Sequence, residues 1–168
     1  MGLRGLAWTT ERGDRWFLHS TQFYLSLTEY LAGDYLAAEN YAKGAVENTR
    51  DKPSLLPFAL ALLARARLAQ GFVDEALALA KEAYATIDTK MQIEDGEASV
   101  RLAYAEALAA SGNRPDAERV TSDAMLWLQR RVETLDDLAM RPAFLERVPE
   151  HRRIRELASE LGLAEKAG

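Results

Sequence analysis

The chain is predicted to be all-α: three helical hairpins stacked side by side and closed by a C-terminal capping helix. Three observations carry this prediction. Gly33, Gly71 and Gly112 each stand five residues before one alanine and twelve before another: Ala38 and Ala45, Ala76 and Ala83, Ala117 and Ala124. These glycines lie 38 and 41 residues apart, and a fixed glycine-to-alanine grammar repeated at about forty residues marks stacked helical hairpins. The five prolines fall where helices would begin or end, and no stretch alternates apolar and polar residues long enough to read as a strand.

The first hairpin is expected to pair about 14–32 with 35–49, turning at Gly33-Asp34. Pro53 and Pro57 open the second after the polar break Asn48–Lys52; it pairs about 54–70 with 73–89 and turns at Gly71-Phe72. The third pairs about 96–111 with 115–139 around Gly112-Asn113-Arg114, with Pro115 in a first turn where its missing N–H costs nothing. Asp14 and Asp95 are the expected N-caps, since a short carboxylate can accept the free N–H groups of a first turn. A final helix, about 149–161, puts Ile154, Leu157, Ala158 and Leu161 on one face and Arg152, Arg153, Arg155 and Glu156 on the other, as an end cap requires. Hairpins at about 14–49, 54–89 and 96–139 and a capping segment at 141–163 make one domain over 1–168.

The repeated residues have direct physical roles. A glycine ending a first helix supplies the positive φ that a tight helix-to-helix turn needs. Two alanines seven apart lie on one face of the second helix and let neighbouring helices approach closely.

Composition narrows the function. The net charge of −5 argues against general nucleic-acid binding and against docking on anionic lipid, both of which call for concentrated basic charge. The arginines of His151-Arg152-Arg153-Ile154-Arg155 are interleaved with Glu146, Glu150 and Glu156 and read as a mixed solvated face. There is no cysteine, which removes disulfides, thiolate catalysis and cysteine-bound zinc. No apolar run reaches the roughly 18 residues of a membrane span, and the amino terminus lacks a full apolar signal core, so a cytoplasmic location is expected.

Catalytic chemistry is not expected, nor is a metal or a cofactor. His19 and Ser20 are neighbours that diverge on a helix, and His151 lacks the HExxH spacing; both histidines read as surface or boundary residues. Glu94-Asp95-Gly96-Glu97 reads as a helix start, and Asp136-Asp137 as adjacent helical acids that point apart.

These residues resemble the tetratricopeptide repeat. Besides the glycine and the alanines, the small residue that the family carries in its first helix is met by Ser26, Ala64 and Ala105, each seven before its glycine and each preceded by a large residue, Leu25, Leu63 and Tyr104. The resemblance covers about 14–139. It departs in its longer period, in the absent first-helix tryptophan, and in Ala42, Ala80 and Thr121 where the family has an aromatic. Long-period repeats of this kind are similar to those of large bacterial signalling proteins, such as Ser/Thr kinases and ATPase-coupled transcription regulators. The segment from Arg141 to His151 also looks like the closing part of such regions.

The resemblance implies a right-handed α-solenoid whose first helices line a concave face. It places Ser20, Phe23, Leu27 and Tyr30 there from the first hairpin, Phe58, Ala61, Arg65 and Leu68 from the second, and Ser99, Leu102, Glu106 and Ala109 from the third. It further implies a scaffold that binds a peptide or partner helix. The alternative is a sensory or regulatory domain for a small molecule or signalling peptide. The carboxylate clamp of chaperone-binding members is not expected, because Phe23 and Leu27 occupy its positions.

Two questions stay open in the residues themselves. Phe23, Leu27 and Tyr30 read either as groove or as covered core, and Arg65–Glu106 reads most simply as a solvated cross-repeat pair. Leu3, Leu6 and Ala7 read as the end of a preceding helix, which leaves a fragment of a longer protein or a homodimer through the N-terminal end.

Overall fold

The computed structural model describes residues 15–87 and 96–163, with side chains from residue 18 onward. Every element among them is helical: α1 (Arg15–Ala32), α2 (Tyr35–Thr49), α3 (Leu56–Ala69), α4 (Val73–Ala85), α5 (Glu97–Ala110), α6 (Arg114–Glu133), α7 (Met140–Arg147) and α8 (Pro149–Glu160). None of the described helices is long and apolar enough to cross a membrane. The N-caps expected at Asp14 and Asp95 lie outside the described residues.

The three hairpin turns share one local chemistry. Gly33, Gly71 and Gly112 have φ of 85°, 88° and 80°, a region that costs an L side chain about 1–2 kcal/mol. Past each glycine the next N–H reaches back to a carbonyl of the first helix: Asp34 to Glu29 at 3.0 Å, Phe72 to Arg67 at 3.1 Å, and Asn113 to Leu108 at 3.1 Å. This is the Schellman closure, which satisfies carbonyls that a helix end otherwise leaves free. Asp34 and Asn113 then cap the following helices by accepting the N–H of Ala37 and of Asp116.

All six repeated alanines are fully buried, and so are Ala42, Ala80 and Thr121 between them. Ser26, Ala64 and Ala105 are buried opposite them, and the Ser26 hydroxyl donates to the Ala38 carbonyl at 3.0 Å. Small residues on both helices of a hairpin are what allow this approach.

Each helix packs on its chain neighbours, and the odd-numbered ones also touch each other, α1 on α3 and α3 on α5. The central α3 meets α1, α2, α4 and α5, which explains why its sequence from Pro57 to Ala66 is buried all round and carries no polar stripe. Three apolar clusters follow one another along the chain, around Phe23 and Phe58, around Leu60 and Val100, and around Leu102, Leu128 and Ile154.

The capping helix forms as expected, and its place is informative. It packs on α5 and α6, as α5 packs on α3 and α4. It ends at Gly162, φ 74°, with Leu163 N–H bonded to the Ala158 carbonyl at 2.9 Å. Local geometry and contacts therefore make α8 equivalent to the first helix of a further hairpin.

Two expectations need correction. The second helix of the third hairpin stops at Glu133 and not near 139. There the Thr134 hydroxyl donates to the Arg131 carbonyl at 2.7 Å, and Asp137 accepts the Ala139 N–H at 2.9 Å. Asp136-Asp137 is thus a turn rather than part of a helix. The segment after it is the extra helix α7; Pro142 stands in its first turn, where a proline is tolerated and does not stop a helix.

Candidate functional site

The residues expected on one face belong to α1, α3 and α5, which touch one another in turn, and they are not uniformly open. Phe23, Ala61 and Leu102 are buried, the last two completely, inside the contacts between hairpins. They support the face from beneath. Ser20, Leu27, Tyr30, Leu68, Glu106 and Ala109 are half-buried, while Phe58, Arg65 and Ser99 are buried at its base. The Phe23 ring lies tilted on Phe58 with centroids 4.8 Å apart, so the question of core or groove resolves differently along one helix. Phe23 is core, and Leu27 and Tyr30 sit at the surface edge of it.

A ladder of charges crosses the row. The Arg65 guanidinium lies 4.5 Å from the centre of the Tyr30 ring and donates from Nε to Glu106 at 3.3 Å. The other oxygen of Glu106 accepts from Arg153 Nε of α8 at 2.8 Å. Arg153 Nη1 reaches Glu160 at 2.6 Å, and the Arg65 Nη1 stands 3.9 Å from Glu150. The expectation of a solvated Arg65–Glu106 pair is corrected here: their side chains are 9% and 12% exposed. Packing by α8 and Tyr30 removes the water that the sequence alone leaves in place. Burial pushes the Tyr30 phenol up from its ordinary value, against the opposing pull of Arg65. Hydrogen bonding to Glu160, and then to Glu106, raises the Arg153 guanidinium further above its ordinary range.

Beside the ladder, toward the amino ends of α5 and α8, is a cavity of about 300 Å³. Its walls are Leu27, Phe58, Ala98, Trp127 and Val148, and its polar groups come from Glu97, Ser99, Arg131, Glu150 and His151. At the lower limit of ordinary ligand pockets, roughly 300–1,000 Å³, it has room for one side chain or a small molecule and not for a helix.

Neither histidine is a surface residue; both are 6% exposed. His151 Nδ1 lies 2.8 Å from the Phe144 carbonyl, its ring packs on Phe144 at 4.3 Å, and Trp127 meets it edge-on at 6.0 Å. A readable signal for this existed, because His151 stands three residues before Ile154 and seven before Ala158, on the apolar stripe of α8. His19 is held edge-on to Phe23 and faces Lys52 Nζ at 3.4 Å.

Trp127 was missed altogether by sequence reasoning. Arg101 and Arg131 lie over it at 5.7 and 5.4 Å, and both pair with Glu97, at 2.7 and 3.7 Å. Ser99 and His151 line the same cavity without a hydrogen bond between them. No group of histidine, aspartate and glutamate side chains suited to a metal occurs among the described residues. Comparison with protein-family models, curated proteins and solved structures returns no match to this chain.

Proposed function

We propose that the chain is a non-enzymatic interaction module: a right-handed, tetratricopeptide-like α-solenoid of the cytoplasm that binds a protein segment on the concave face lined by α1, α3, α5 and α8. One observation carries the reading. The first helices form a continuous row whose charges are tied to one another, and one space left open beside those charges is the cavity between Leu27, Phe58, Trp127 and Glu150. A peptide or partner helix laid along the row would place one anchoring side chain in that cavity.

Selection of displayed peptides on the wild-type chain, with counter-selection on Leu27→Arg, tests this. Peptides that lose binding to the filled groove while the variant melts normally support the reading. Peptides that bind both chains alike overturn it.

The small volume of the cavity favours a second reading, a sensory domain of a signalling protein that takes a small molecule or signalling peptide there. Its effector would lie in another part of the system. Self-association through the first hairpin is a separate proposal, resting on register. Leu62 and Ala66 of α3, and Ala103 and Ala107 of α5, are buried against the preceding hairpin, whereas the matching Tyr24 is 69% exposed. Leu31 and Leu36 are exposed beside it. Sedimentation equilibrium should find a dimer that Leu31→Asp dissociates, and a monomeric wild type would end that idea.

A further inference from the structure

The polar groups of the cavity are unevenly matched. Arg101 is bonded to Glu97 at 2.7 Å, and Arg131 stands 3.7 Å from Glu97 over the face of Trp127. Glu150 has no bond as short as that of Arg101. Its side chain is 14% exposed, and its single ionic partner among the described residues is Arg65 at 3.9 Å, beyond hydrogen-bond length. Arg65 is already bonded to Glu106 and stacked on Tyr30.

Two more polar residues line the same space, Ser99, which is 3% exposed, and His151. In His151, the Phe144 carbonyl can only accept, so Nδ1 must carry the proton of that bond. In the tautomer with a single N–H, the other ring nitrogen is an acceptor. A carboxylate, an imidazole and a hydroxyl therefore share one space within walls formed by Leu27, Phe58, Trp127 and Val148. A carboxylate among apolar and aromatic walls favours a ligand that brings a positive charge and N–H donors.

We infer that the cavity receives a cationic, hydrogen-bond-donating head group, an alkylammonium or guanidinium carried on a short apolar stem. Glu150 accepts its charge, Ser99 and His151 accept further N–H groups, and the stem packs against Phe58 and Trp127. The inference rests on the concave-face reading and names the chemistry of its anchor. The same head group reaches the site either on a lysine or arginine of a partner peptide or on a free amine.

The test uses the full chain and defined probes. The ¹H–¹⁵N indole peak of Trp127, assigned by its loss in Trp127→Phe, is followed during titration with n-butylammonium. The titration is repeated with the capped peptide Gly-Lys-Gly, the same peptide with norleucine for lysine, and butyrate. Saturable shifts with the two cations and none with norleucine or butyrate are expected, and Glu150→Gln should weaken the cations at least about tenfold, equivalent to 1.4 kcal/mol.

Lysine peptide binding tenfold or more above butylammonium identifies peptide as the source, and equal binding identifies the free amine. Norleucine or butyrate matching the cations, or cation binding unchanged in Glu150→Gln, overturns the proposal. The wild-type comparison of charged with neutral probes decides even if that variant does not fold. If no cation binds while selected peptides still lose binding to Leu27→Arg, only the cationic chemistry fails; if both assays fail, the concave-face reading falls with it.

Discussion

Gly96 and Gly33 both have positive φ, 79° and 85°, yet they should respond very differently to a single methyl group. At Gly33 an added Cβ meets nothing within 4 Å, so Gly33→Ala carries only the backbone strain. That strain is about 1–2 kcal/mol, reduced by a few tenths to 1 kcal/mol through the smaller entropy of the unfolded alanine chain. At Gly96 the Cβ would overlap Cγ and Cδ2 of Phe58 and stand 2.7 Å from Cε2. These atoms lie at the root of the ring, so relief needs the whole ring to turn. Phe23 blocks one side at 4.8 Å, and the cavity is the space on the other. Overpacking of this kind adds about 1–3 kcal/mol, which makes Gly96→Ala roughly 2–4 kcal/mol destabilising against about 1 for Gly33→Ala. Urea unfolding with a common m-value measures both. The double variant Gly96→Ala/Phe58→Ala should cost less than the sum of its single changes, because Phe58→Ala removes the obstruction. Equal losses for Gly96→Ala and Gly33→Ala, or strict additivity of the pair, would refute the packing of α5's start on Phe58.

Three other outcomes follow from the same geometry. Ala76→Leu places three extra carbons at a fully buried hairpin contact and should lower stability by about 1–3 kcal/mol; a variant that melts like wild type contradicts the close approach of α3 and α4. Glu106→Ala leaves Arg65 buried without its carboxylate, costing about 3 kcal/mol, a fall in Tm of roughly 6–12 °C for a chain of this size, and Arg65→Met added to it should recover part of the loss. Glu39 is nearly buried, and although desolvation alone would raise its carboxyl, hydrogen bonds from Lys43 and Gln70 and the charge of Arg67 hold it below the ordinary 4.5. Its stabilising effect is therefore complete above about pH 4.5 and lost as pH falls through the depressed value, so wild type should lose more stability on acidification than Glu39→Gln does.

What could be read beforehand is what depends on local chemistry. A positive φ at Gly33, Gly71 and Gly112 is a property of each turn, and the buried alanines need only be small. Both repeat in register, so three copies reinforce one another. The matching registers of Arg65 and Glu106, each six before its glycine, also made their pairing visible. Their burial was not visible, because it is imposed by Arg153, 47 residues beyond Glu106. Burial of His151 needed the position of α7, whose Phe144 supplies both the carbonyl and the ring against it. Pro142 concealed α7 because a proline alone does not distinguish a stop from a first turn. Trp127 could not be seen as a site residue because second helices face away from the predicted groove, and it reaches the cavity only where α8 leaves room beside α5.

The position of α8 therefore decides what the row of first helices can do. As the equivalent of a fourth first helix it covers the end of the third hairpin, burying Ile154, Leu157 and Leu161 against Leu102 and Leu128. On the row itself its Arg153 takes one oxygen of Glu106 while Arg65 holds the other, so both charges that the sequence offers to a partner are already spent on internal contacts. A partner competing for Glu106 would have to break two part-buried charge-assisted bonds, which disfavours that site. Glu150, one turn earlier on α8, is spared that commitment because its nearest cation is 3.9 Å away and bonded elsewhere. On the proposed concave-face reading, a ligand would be met away from the middle of the row, at the amino end of α8, where Phe58, Trp127 and Ser99 complete the walls. Any ligand of this face should consequently be sensitive to Glu150 and Leu27 and indifferent to Leu68, at the opposite end of α3 from Phe58.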